Sequence, residues 1–239
     1  MYPVAVTSRK PAAAPLKPKD RVPLSREAIL EAGLRIARRE DLTRITIRKL
    51  SDQFGVTPMA IYRYFDTKAE IIDGIVDLFI REIGIAEGDT SDWRDWMRRT
   101  CERWRAALIE TPGMIPRISN TFSLGEGGLA ATNASLAVLR GAGLSRESAV
   151  RGFLTLSRYT VGTAANEVAW SLPAANSKEH SRRSREYFEA VSPRKFPFVV
   201  EMAVQLAEYA SVGTFDDGLD RILESLAREA AREDGSAKI

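Results

Sequence analysis

Residues 45 to 68, ITIRKLSDQFGVTPMAIYRYFDTK, gather side chains suited to reading a DNA duplex. Arg48 can fork onto a guanine edge or a phosphate, and the Thr46 hydroxyl can bond a phosphate. Thr57 is followed by Pro58 and Met59, which offer apolar surface to a thymine methyl. Tyr62 and Tyr64 carry hydroxyls for phosphates, Arg63 reaches a base or a phosphate, and Lys68 suits a phosphate. Plainer roles stand beside these. Either tyrosine can pack in a small three-helix core, and Arg63 can be a solvated charge.

Spacing says which elements present them. Ile47, Leu50 and Phe54 give one helix a buried stripe. Gly55 follows, where a left-handed residue stops a helix. Thr57 is an N-cap type, and Pro58 then falls at a first helical position, where its missing N–H costs nothing. A second helix from Pro58 to Phe65 turns Ile61 and Phe65 inward. Helix, glycine turn and second helix make a helix-turn-helix, whose second helix lies in the major groove.

Composition narrows the alternatives. The chain has 239 residues, 44% of them hydrophobic, enough for a full core. A single cysteine, Cys101, excludes an internal disulfide and a cysteine-based zinc site. A single histidine, His180, argues against a histidine metal site or a catalytic triad. No nucleophile elbow or phosphate loop occurs, which opposes an all-α enzyme with an accidental helix-turn-helix. No enzyme activity, metal or cofactor is expected. No apolar run approaches the ~18 residues of a membrane span, and the N-terminus lacks a secretory core, so the expected location is cytoplasmic. Charge is uneven. Residues 1–70 hold 14 Lys/Arg against 8 Asp/Glu, and the rest hold 21 against 24. The basic excess coincides with the helix-turn-helix, as phosphate binding requires.

The pattern predicts an all-α fold. Residues 1–23 read as a disordered basic arm, placed either to touch DNA or to act as a solubilising tail. Residues 24–70 read as the DNA-binding domain, 71–231 as a helical regulatory and dimerisation domain, and 232–239 as a tail. Helix 1 runs from Arg26 to Arg39 behind a Ser25 cap, with Leu24 and Ile29 placed for a hydrophobic staple. Thr67 and Glu70 form a capping box for a fourth helix reaching Ile83. Further helices read at 93–109, 131–141, 146–170, 178–189, 196–210 and 215–231, with a loop-rich stretch around 111–128 that has room for one short helix. The helices at 196–210 and 215–231 carry apolar faces at Phe198, Val199, Met202, Leu206 and Tyr209, and at Leu219, Ile222, Leu223 and Leu226. Such faces make either a four-helix dimer interface or an intrachain bundle.

The run TIRKLSDQFGVTPMAIYRYFDTKAEII resembles the TetR family of bacterial repressors, over residues 25 to about 83. DWRDWMRRTCERWRAALIETPG, GLSRESAVRGFLTLSRYTVGTAANE and FPFVVEMAVQLAEYASVGTFDDGLDRILESL resemble, more weakly, the C-terminal domain of the tetracycline-repressor type. The resemblance implies a homodimer that binds a palindromic DNA operator and is released by a small-molecule inducer. A DNA-binding activator, or a regulator controlled by a protein partner, is the alternative. It also implies a pocket in the regulatory part. Candidate lining residues are Thr100 and Trp104, Thr121 and Phe122, and Phe153, Arg158, Gly162, Asn166 and Trp170. Tetracycline sensors hold a magnesium-chelated drug with histidines. The matching places here are Gly84, a residue near Ile118, and Arg158, so neither magnesium nor tetracycline is carried over. An apolar or aromatic inducer is expected instead. Arg158 is paired to Glu167 or another acid, exposed, or set to meet an anionic ligand.

Overall fold

The computed structural model describes residues 23–84, 92–120, 125–170, 177–211 and 214–236. The basic arm up to residue 22, Thr121 and Phe122 lie outside the described residues. Every described regular element is helical, so the chain is all-α.

Local signals set most helix ends. In α1 (Arg26–Ala37) the Ala28 N–H donates to the Ser25 hydroxyl at 3.1 Å, and Leu24 packs on the core that holds Ile29. In α2 (Ile47–Phe54) the Lys49 N–H donates to Thr46 Oγ1 at 3.1 Å. Gly55 ends α2 at φ +63°, and the Val56 N–H returns to the Ser51 carbonyl. The next helix, α3, is shorter than its pattern suggested. It spans Pro58–Ile61 and passes into turns through Tyr64, whose N–H bonds back three residues to Ile61. Thr57 has extended geometry but its side chain makes no cap bond. In α4 (Lys68–Ile83) the Thr67 hydroxyl accepts from Glu70 N–H, but Glu70 reaches back to the Asp66 N–H instead of closing a box on Thr67.

The regulatory helices are α5 (Trp93–Glu110), α6 (Ile115–Asn120), α7 (Glu126–Gly141), α8 (Arg146–Trp170), α9 (Ser177–Ala190), α10 (Pro197–Glu201), α11 (Ala203–Ser211) and α12 (Phe215–Ser236). Three of the expected helices differ in the structure by more than a residue at an end or in continuity. The helix expected at 131–141 begins at Glu126, inside the glycine-rich stretch. The helix expected at 196–210 is two, broken at Met202, where no glycine or proline announces it. The last helix passes Ala231 and runs to Ser236.

Among the described residues, two cores hold the chain together. One joins α1, α2, α3 and α4 through Ile29, Leu50, Ile61, Phe65 and Ile75. It continues without a break into Leu108, Met114, Ile115, Val161 and Ala164 of the regulatory part. The other packs α5, α7, α8 and α12 through Trp96, Leu139, Leu156, Phe215 and Leu223. Each fully buried side chain of this size contributes about 1.5–3 kcal/mol relative to exposure. The apolar stripe Leu219, Leu223 and Leu226, which the sequence left open to a partner, is buried within its own subunit. The exposed large apolar residues lie elsewhere. They include Phe196, Phe198, Met202 and Leu206, on and just before α10 and α11.

Candidate nucleic-acid interface and ligand cavity

The helix-turn-helix leaves its candidate DNA contacts exposed. Arg48, Thr57, Pro58, Met59, Tyr62, Arg63 and Lys68 are all exposed, Met59 by 71%. An apolar side chain that open at a helix start serves no core. Lys68 makes no ion pair within the described chain, although it opens α4, where the helix dipole disfavours a cation. Thr46 is exposed as well. Its oxygen accepts the cap bond, which leaves the hydroxyl proton to donate elsewhere. Tyr64 is different. Its hydroxyl donates to the Leu24 carbonyl at 2.9 Å, so that proton works inside the fold rather than on a phosphate.

Arg26, a residue the sequence reading passed over, fixes the end of this face. Its guanidinium donates to the Tyr64 carbonyl at 2.8 Å and to Glu70 Oε1 at 2.7 Å, and lies 4.2 Å over the Phe65 ring. Glu70 Oε2 accepts from Asp66 N–H at 2.9 Å. One arginine from α1 thus binds the turn after α3 to the start of α4. The Arg26 hydrogen bond holds the Glu70 carboxyl below its ordinary range, with the Asp66 N–H next in effect. The signal was present as an arginine at the first position of α1, but its partners lie about 40 residues away in the chain.

Along the middle of α4, from Asp73 to Ile80, lies a cavity of about 320 Å³, walled by α4, α5, α6, α7 and α8. Thr100, Trp104 and Phe153 line it. Trp104 Nε1 is buried and finds no acceptor among the described residues. A buried donor left so requires explanation. Cys101 also faces the space. Burial pushes its thiol up to about 11, so it stays protonated and acts as apolar wall. Polar groups enter from α4 and α6. Asp73 pairs with Arg117, and Asp77 accepts from the Gly128 N–H.

Arg158, Gly162 and Asn166 stand outside the cavity on the exposed side of α8. A turn of phase explains it: Phe153, Leu156 and Ser157 face inward, and the next residue does not. Glu167, the acid offered to Arg158, instead takes Arg105 in a bidentate pair at 2.8 and 2.6 Å. Trp170 ends α8, and its side chain lies outside the described residues. Of the three places where tetracycline sensors carry imidazole, Gly84 is the left-handed cap of α4, Ile118 lines the cavity and Arg158 faces out. No group of three or more His, Cys, Asp or Glu among the described residues is placed to hold a metal ion. No described helix is long and apolar enough to cross a membrane.

Comparison with known proteins places this geometry. Residues 86–229 match the family model described as tetracyclin repressor-like, C-terminal domain. Residues 29–75 match that of bacterial regulatory proteins, tetR family. An HTH-type transcriptional regulator of Saccharopolyspora erythraea is 24% identical over 147 residues, and the match spans 62% of each protein's length. The HTH-type transcriptional repressor DrrR1 of Streptomyces coeruleorubidus is 24% identical over 243 residues, covering 97% of this chain and 86% of that one. Apo ActR from Streptomyces coelicolor superposes with a TM-score of 0.76 at 21% identity, over 88% of this chain and 98% of ActR, which shows a shared fold. ActR has also been solved in complex with actinorhodin.

Proposed function

The chain belongs to the TetR family of bacterial regulatory proteins, and we propose that it is a cytoplasmic transcriptional repressor that releases DNA when a small molecule fills its cavity. One observation carries this reading: a single helix, α4, has the exposed DNA face at its N-terminus and the cavity wall along its later turns. Residues 24–70 form the DNA-reading part and 71–231 the regulatory part. Arg48, Met59, Tyr62, Arg63 and Lys68 contact the duplex, with Thr46, Thr57 and Pro58 beside them.

The repressor works as a homodimer on a palindromic operator. Two copies hold their α3 helices about 34–36 Å apart, one DNA turn, in the binding state. Phe198, Met202 and Leu206, exposed on α10, at the break and on α11, supply the apolar surface for the partner. An occupied cavity favours another α4 position, and the population shifts away from the DNA-binding spacing.

The inducer is a mid-sized apolar or aromatic molecule carrying an oxygen acceptor. Trp104 and Phe153 offer stacking area, Thr100 a hydroxyl, and Trp104 Nε1 a donor in need of an acceptor. Trp104 therefore replaces Arg158 as the polar anchor.

A gel-shift selection from random duplexes tests the DNA reading, and an enriched inverted repeat is the expected result. Titration of that complex with actinorhodin, the compound held by ActR, and with magnesium–tetracycline tests the cavity reading. Release by actinorhodin but not by the metal–drug complex is expected. No enriched duplex from the pool refutes the function.

A further inference from the structure

Helix α7 begins without a cap of its own. Gly125 occupies the N-cap position and offers no side chain, and glycines recur at positions 127 and 128. Every helix start leaves its first N–H groups without intrahelical partners, and here the N-cap has no side chain to supply one. The missing acceptor comes from another helix. Asp77, on α4, places Oδ1 at 3.1 Å from the Gly128 N–H, and only 15% of its side chain is exposed. The glycines make room for it. A Cβ on Gly125 would fall on the Asp77 carboxylate, and one on Gly127 would strike the Arg81 stem and the Asp77 carbonyl. The negative charge also lies at the favourable end of the α7 dipole. One turn earlier on α4, Asp73 pairs with Arg117 of α6. Asp77, Gly125 and Gly128 all line the cavity.

Resting on the DNA-binding reading above, we infer that the Asp77 carboxylate is the positioning residue that ties the cavity wall to the DNA-binding unit. It is a cap lent by α4 to α7. A ligand that draws off the carboxylate, or supplies the Gly128 N–H with another acceptor, undoes the joint. α4 then loses the contact that fixes its tilt, and with it the position of α3.

The test uses the full chain and the duplex enriched from the random pool, at a temperature well below the melting point of every variant. Asp77→Ala should speed exchange of the Gly128 amide and weaken duplex binding at least about fivefold, the lower range of coupling between sites. Asp77→Asn keeps an acceptor oxygen and should stay within about twofold of the parent, well inside one hydrogen bond's worth. Gly125→Ala should weaken binding when made alone, yet add almost nothing in the Asp77→Ala background, because both act through one joint. A general loss of stability would instead add across the pair. Duplex affinity of Asp77→Ala equal to the parent's, or unchanged Gly128 exchange, overturns the inference while leaving the DNA reading intact. Failure of the parent chain to enrich any duplex overturns both.

Discussion

Lys68 and Tyr62 are both exposed on the proposed DNA face, yet their removal should leave different signatures. Lys68 is exposed, carries a full charge and has no acid partner within the described chain. If it meets a phosphate, it releases condensed counterion, and each such contact steepens the log–log salt dependence by about 0.9. A dimer holds two copies, so Lys68→Ala should make the slope shallower by about 1.8. Between 50 and 200 mM salt the gap between parent and variant should then narrow about twelvefold. Tyr62 carries no charge. Tyr62→Phe removes two hydrogen bonds from an uncharged hydroxyl to phosphate per dimer, worth about 1.5–3 kcal/mol each, and should leave the slope unchanged. The unbound protein supplies a second, opposite sign. Lys68 stands at the first position of α4 against the helix dipole, so Lys68→Ala should raise its stability by about 0.3–1 kcal/mol at low salt. Fluorescence anisotropy across a salt series measures the slopes, and chemical denaturation measures the stability. An unchanged slope in Lys68→Ala, or a shallower one in Tyr62→Phe, would refute the assignment of charged and neutral contacts. A destabilised Lys68→Ala would show that the lysine serves the fold.

Leu223 is 2% exposed within its own subunit, so Leu223→Ala should cost about 2–5 kcal/mol in denaturant unfolding and leave the oligomeric state unchanged by light scattering. Phe198 is 68% exposed; Phe198→Glu should separate the dimer in light scattering while subunit helicity by circular dichroism stays intact. The Arg26 bond holds the Glu70 carboxyl below 4.5, so the clamp is complete above that pH and is lost as pH falls through the lower folded value. Melting curves of the parent should therefore drop more steeply in that acid range than those of Glu70→Gln, and parallel curves would contradict the clamp. Cys101, its thiol pushed up to about 11, should resist alkylation by iodoacetamide at neutral pH in the folded protein, and fast labelling there would contradict its burial.

What could be read from the sequence was what is decided locally. Ser25, Gly55 and Thr67 cap or end helices through groups within a few residues, and each is found at its expected boundary. The ends of α8 followed from its own pattern. Nonlocal partners hid the rest. The start of α7 was unreadable because its cap belongs to Asp77, 51 residues earlier. Arg26 gave no sign of its grip on Tyr64 and Glu70. The stripe Leu219, Leu223 and Leu226 has the same periodicity whether its own subunit or a partner covers it, and only packing decides. Arg158 and Phe153 share a helix, and a fraction of a turn separates cavity from solvent.

The unbroken core between the DNA-reading helices and the regulatory part bears on the exchange of heads among relatives. Met114 and Ile115 belong to the same packed cluster as Ile29 and Ile75. A Cβ on Gly113 would press on the backbone of Glu40, Asp41 and Leu42. A graft cut after Phe65 or Ile83 would carry the recognition surface but leave this seam mismatched. A chimera meant to give a new operator to an old sensor must bring the residues around Gly113 and Met114 with the head. In this chain the head and the regulatory body are thus a fitted pair, joined at that seam.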